Sequence, residues 1–433
     1  MNARKMANYT NIDKAQELWK TLYLCAKESP TRRFHALYDK IYRPDILWEA
    51  WQRVKRKKGS GGVDGQTIEQ IVLDYGERKF MNEIFLELKE KRYNPSPVLR
   101  TFIPKEDGKQ RPLGIPTIKD RVVQTATKMV IEPIFEADFH ECSFGFRPKR
   151  NAHQAMAKIR RASKNCFWVV DVDIQGYFDN INQAKLMKLL EQRISDRRVL
   201  KLIRKWLEAG IMDDGNIRNP ITGTPQGGVI SPLLANIYLN VMDKLWQERF
   251  GELGELIRYA DDFVIMCKTK NQAMETIRVI QAIMGKLDLT INRDKSRLVN
   301  IWNDTDGFDF LGFHNRKFPI RRKGGNTFYV MNHIPKRNAM KKMRTKIKAY
   351  TEPRNKLYLD IRELVKGLNR KLQGFKNYYQ LSPQGKKWLN RIDWYVLKRL
   401  VLFYNKKKNN RRKHGNLKDV RKEIEHILVK LAS

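Results

Sequence analysis

Residues 256–268 read LIRYADDFVIMCK: two adjacent aspartates, Asp261 and Asp262, stand inside an otherwise apolar run. Apolar text of this length forms a short buried strand, where an unpaired carboxylate is costly. The stretch therefore reads as two strands joined at the aspartates, which project together from the tip of a hairpin. A carboxylate cluster at such a place is tolerable when a divalent cation neutralises it. Oxygen-only ligation with an open coordination sphere suits Mg²⁺.

A third carboxylate is expected from CFWVVDVDI (166–174), the clearest buried strand in the chain. Asp171 and Asp173 lie two apart and share one face of it, so spacing alone admits either. Two Mg²⁺ ions held roughly 3.5–4 Å apart activate an attacking 3′-hydroxyl and stabilise a leaving pyrophosphate. That chemistry is nucleotidyl transfer.

Composition points the same way. The chain has 433 residues and is 41% hydrophobic, enough for a real core and more than one domain. Its 86 Lys and Arg against 47 Asp and Glu leave a formal charge of +39, which calls for a polyanionic partner. No run approaches the roughly 18 apolar residues of a spanning helix, and MNARKMANYTNIDKAQELWK lacks the apolar centre of a secretory signal. The expected setting is cytoplasmic and nucleoid-associated. Cys25, Cys142, Cys166 and Cys267 are scattered with no CxxC pair, which suits a reducing compartment and argues against structural zinc. The histidines show no HxxxH spacing.

Along the chain, helical text over 12–58 is broken by KRKKGSGGVDG, and RTFIPKEDGKQRPLGIP reads as strand, basic-tipped turn and strand. TGTPQGGVISPLLANIYLN is a glycine-rich loop entering a helix, with Ser231 as its cap and Pro232 at its first position. From about 335 the text is helical only and very basic. There Val365, Leu368, Leu372, Phe375 and Tyr379 form one apolar face, with Lys366, Arg370, Lys371 and Lys376 off it. The whole is an α+β pattern followed by an all-α segment.

These stretches resemble reverse transcriptases. YADD resembles their motif C, DVDIQGYFD their motif A, and TPQGGVISPLLANIYLN their motif B in the form typical of enzymes encoded by group II introns. RTFIPKEDGKQRPLGIPTIKDRVVQ and SFGFRPKRNAHQA are similar to that family's first two blocks, FDFLGF to its primer grip, and GFKNYYQ to part of its maturase domain. The resemblance implies a right-hand polymerase, fingers and palm with an antiparallel sheet, followed by an all-α thumb or maturase (X) domain. The expected divisions are a helical extension over 1–58, fingers and palm over 59–320, and thumb over 321–400. A short basic segment over 401–433 is read as a reduced DNA-binding region, with no HNH endonuclease.

The family pattern also assigns roles. Its motif A aspartate lies five positions before an aromatic that crowds the sugar 2′ position, and counting back from Phe178 selects Asp173 over Asp171. Asp173, Asp261 and Asp262 are then the ligands of two Mg²⁺ ions, and Phe178 excludes ribonucleotides. Lys105 and Arg111 contact the triphosphate, Gln226 lines the nucleotide pocket beside Gly227 and Gly228, and Lys295 in NRDKS protonates pyrophosphate. Arg147, Lys366, Arg370, Lys371 and Lys376 are expected to touch nucleic acid, while most aromatics of the basic helices serve packing. The implied partners are an RNA template, intron RNA, a DNA primer or target, and dNTPs, and mobility would rely on primers already present at the replication fork. A domesticated relative in phage defence or repair and a non-catalytic RNA-binding splicing factor are the alternative readings.

Overall fold

A computed structural model describes residues 3–104, 108, 110–213, 216–218, 223, 227–302, 306–321, 325, 327–408 and 416–432. Its centre is the helix Ile118–Glu136, in which Val122, Val123, Ala126, Val130, Ile131 and Ile134 are all sealed from solvent. Thr117 caps it: its hydroxyl accepts from Asp120 N–H at 3.1 Å and donates to Asp120 Oδ2 at 2.7 Å. The helices Ala3–Glu28 and Pro44–Lys57 pack on this rod. Leu47, Trp51 and Val54 enter the same core as Val122, so the stretch expected as an extension is built into the main body.

Two sheets frame the cleft. The first runs β2–β1–β4–β5, with β1 (Val98–Pro104) antiparallel to β2 (Gln110–Ile115), parallel to β4 (Ile211–Asp213), and β5 (Asn216–Arg218) at the edge. The second is wholly antiparallel and runs β6–β7–β3–β8. Here β3 (Trp168–Val172) sits between β7 (Asp262–Cys267) and β8 (Arg297–Asn300), with β6 (Glu255–Tyr259) outside β7. Val169, Val170, Val264, Ile265 and Met266 fill both of its faces, hence the near-continuous apolar text.

A third sheet, β9 (Gly307–Phe310), β10 (Phe313–Arg321) and β11 (Thr327–Pro335), leads to a helical domain. Its helices Arg337–Thr351, Ile361–Tyr379, Gly385–Lys407 and Leu417–Ile424 close on Ile347, Leu364, Leu368, Leu372, Leu389, Ile392, Leu400 and Val420. The expected division at 320/321 falls inside the β10–β11 hairpin, where Ile320 pairs with Phe328 and Arg321 with Thr327. The helical core begins at Met340. Likewise, the division at 400/401 cuts the helix Gly385–Lys407, and Val420, Ile424 and Leu431 lie in the helical core.

Candidate active site

The carboxylates meet at one end of the second sheet. Tyr259 pairs with Asp262 across a two-residue turn, Ala260–Asp261, and Val172 pairs with Phe263, so Asp173 leaves β3 beside that turn. Ala260 has φ +59°, unfavourable for a residue with a Cβ, and its surroundings hold it there. Arg258, fully buried, donates to Ala260 O at 2.9 Å, to Asn236 Oδ1 at 3.0 Å and from Nε to Asp243 Oδ1 at 2.8 Å, with a second short contact to Asp243 Oδ2. Asn236 in turn donates to Gly145 O at 2.8 Å. Gly145 is obligatory, because a Cβ there would stand 2.4 Å from Ala260 N.

Electrostatics follow from this crowding. Burial and then the neighbouring Asp261 and Asp173 push Asp262 up to about 6, while Arg111 and Lys295 pull it down. Asp261 is raised, chiefly by burial, and is eased by Arg111. Asp171 is pushed to about 7 by burial and then by Asp262. Asp173 instead faces Lys295, with Nζ 3.7 Å from Oδ2, and its N–H donates to Ser296 Oγ at 3.2 Å. A concentration of acid groups whose burial and mutual repulsion disfavour the charged form suits a hard divalent cation. Among the described residues, however, no set of Asp, Glu, His or Cys side chains is spaced as a finished metal site.

Asp261 opens into a cleft of about 1070 Å³ that also takes in Arg111, Phe178, Gly227 and Gly228. Tyr177 positions Phe178: its buried hydroxyl donates to Ala235 O at 2.6 Å, and its ring stands 5.4 Å from that of Phe178. Gly227, at φ +112°, lies so close to β2 that a Cβ would meet Gly114 O at 2.3 Å, and Gln124 Oε1 accepts from Val229 N–H at 2.8 Å. The loop is thus pinned against the fingers strands. Arg53, Arg56, Lys57, Arg121 and Lys128 line the same cleft. Its basic wall comes partly from the helix Pro44–Lys57.

Lys105 and Gln226 lie outside the described residues. Arg147 departs from expectation. It is buried, forms an ion pair with Glu136 at 2.7 Å, and donates to His140 O at 2.6 Å and Ser143 O at 2.9 Å, so its donors are consumed inside the protein. Lys366, Arg370 and Lys371 are exposed, whereas Lys376 is half-buried and donates to Lys430 O at 2.8 Å. Ser231 is the first helical residue, not the cap; Ile230 holds that position, and Pro232 follows within the first turn. Tyr378 is packed as expected, stacked on Phe313 at 5.2 Å, and its hydroxyl donates to Leu311 O at 2.8 Å. Sequence reasoning missed Gln124, Tyr177, Asn236, Asp243 and Arg258, which hold the site together.

Residues 103–315 match the family "Reverse transcriptase (RNA-dependent DNA polymerase)", and residues 340–420 match "Group II intron, maturase-specific domain". Protein YkfC of Escherichia coli is 35% identical over 75% of this chain and 93% of its own length. The group II intron-encoded protein LtrA of Lactococcus lactis is 39% identical over 51% of this chain, spanning 36% of LtrA. An uncharacterized 91 kDa protein in the cob intron of Schizosaccharomyces pombe is 27% identical over 84% of this chain and 53% of that protein. No helix among the described residues is long and apolar enough to cross a membrane.

Proposed function

The chain belongs to the reverse transcriptases of group II introns, RNA-directed DNA polymerases that carry a maturase domain, and from that membership we propose how its residues share the work. Asp173, Asp261 and Asp262 hold two Mg²⁺ ions, which when bound activate the primer 3′-hydroxyl and stabilise the leaving pyrophosphate. The 3′-oxygen bonds to the α-phosphorus of a dNTP as the bond to the bridging oxygen of the β-phosphate breaks. Arg111 and Lys105 offset triphosphate charge that would otherwise repel the aspartates. Lys295 delivers a proton to the departing pyrophosphate. Phe178 closes the space a ribose 2′-hydroxyl would need, and Gly227 lets the loop bearing Gln226 approach the nucleotide closely.

The exposed Lys366, Arg370 and Lys371 contact phosphates of the intron RNA, assisting its folding and splicing, in a cytoplasmic, nucleoid-associated setting. One observation carries the reading: Asp261, Asp262 and Asp173 act on one another at a cleft that also presents Arg111 and Phe178. Primer extension on an RNA template with dNTPs and Mg²⁺ tests the polymerase roles. Template-dependent DNA synthesis is expected, and its absence from folded, RNA-binding protein would overturn them. Splicing of the cognate intron at low Mg²⁺, with and without the protein, tests the maturase role; an unchanged rate would sink it.

A further inference from the structure

The far end of the second sheet carries a different surface. Trp168 pairs there with Cys267 and with Asn300, five residues of strand from Asp173, or about 16 Å at 3.3 Å per residue. Ile301 N–H donates to Phe167 O at 2.7 Å, which brings Trp302 alongside. The Trp302 ring stands edge-on to Phe167 at 4.3 Å and is 58% exposed.

Lys317 of β10 covers Phe167. Its side chain is packed away, only 4% of the residue being exposed, with Nζ 4.5 Å above the ring. Among the described residues no carboxylate or hydrogen-bond acceptor meets that ammonium. It is not among the sealed polar atoms, so the ammonium keeps a small exposure at the surface. Burial lowers its proton affinity, opposed only by the nearby Cys166 thiol. The cross-strand pairs place Lys317, Tyr329 and Arg321 on one side of the hairpin, running outward from buried Met331 to Tyr329, which is 43% exposed. Lys270 adds a further cation, 5.8 Å over Trp168; of the acids that follow Trp302, Asp304 lies outside the described residues and Asp306 is exposed.

A nearly buried lysine that no acid among the described residues meets asks for an anion from outside, and exposed rings beside it ask for a planar partner. A nucleic-acid strand supplies both, and only an unpaired strand frees its bases to stack. We propose that Trp302, Lys317 and Tyr329 form a second nucleic-acid contact, separate from the polymerase cleft, which takes a single-stranded RNA segment with a base on Trp302 and a phosphate on Lys317. The surface stands whether or not the cleft polymerises DNA.

The test uses the full chain with its cleft filled by excess template–primer duplex ending in a dideoxynucleotide. A short 5-bromouridine RNA is added, its affinity is read by fluorescence anisotropy, and its photocrosslinks are mapped. Crosslinks at Trp302 or Tyr329 are expected. Trp302→Ala and Lys317→Met should each weaken binding about fivefold or more, with melting temperatures near wild type and Tyr358→Ala, a change at another exposed ring, without effect. Crosslinks confined to other segments, or affinity unchanged in Trp302→Ala, would overturn the proposal. So would equal competition by double-stranded RNA, which offers phosphates without free bases. Because Trp302 is exposed, its variant keeps the test decisive even if Lys317→Met fails to fold.

Discussion

Two charged features sit three residues apart on one hairpin and are handled in opposite ways. Arg258 is sealed in the core, where burial alone would lower its pKa, yet the Asp243 carboxylate beside it holds the value up. Asp261 and Asp262 are buried and crowded against each other and Asp173, and their pKa values rise. The first is charge balanced within the chain, which braces Ala260. The second is charge left in excess, for something outside the chain to balance. Charge that a fold does not neutralise is the better marker of function.

The contrast breaks most clearly at the aspartates. Asp261→Asn with Asp262→Asn should lower primer extension by about 10³-fold or more, through loss of several kcal/mol of transition-state stabilisation. The melting temperature should hold or rise, because repulsion is relieved; a large fall would mean that the pair is structural. Asp243→Asn should do the reverse, costing about 3–5 kcal/mol in urea unfolding by stranding Arg258. The double change Arg258→Met with Asp243→Leu should cost less than the single one. A smaller effect is expected at Phe178→Ala: incorporation of ribonucleotides relative to deoxyribonucleotides should increase about 10–100-fold. An unchanged ratio would show that the ring does not police the sugar.

The smallest effect is in pH dependence. Asp262 at about 6 and Asp171 at about 7 keep protons in the folded chain that the unfolded chain has released above about pH 4. Stability without metal should therefore fall as pH rises from about 4 to 7, and Asp262→Asn should flatten that slope. Added Mg²⁺ competes with those protons, so it should raise the melting temperature more at about pH 7.5 than at about pH 5. Equal shifts at both would separate the ion from these carboxylates.

Much of this was legible in the sequence because it is local. Period-two strands, adjacent aspartates and a glycine-rich loop before a helix are written in consecutive residues, and the structure brings Asp173, Asp261, Asp262, Arg111, Phe178 and Lys295 to one end of the second sheet. What escaped is non-local. Arg147 reads as an exposed cation in a polar loop, but Glu136, at the end of the preceding helix, captures it. Gln124 looks like a polar residue of an ordinary helix until the loop bearing Val229 comes to meet it, 105 positions later. Asp243 and Arg258 belong to a helix and a strand whose approach no spacing encodes. The division expected at 320/321 missed for another reason: nothing in the local text shows that Arg321 and Thr327 pair across two long strands.

That hairpin sets a rule for exchanging parts. Because β11 is held along its whole length by β10, a thumb transplanted from residue 321 would arrive with one orphaned strand and leave another behind. Each fragment would carry a row of unmet amides and carbonyls, an invitation to aggregate. A graft made at 336, after Pro335 and before the helix at Arg337, would carry no half of a ladder with it. Shuffled or recombined thumbs of this kind should therefore survive when the crossover lies there and fail when it lies a few residues earlier.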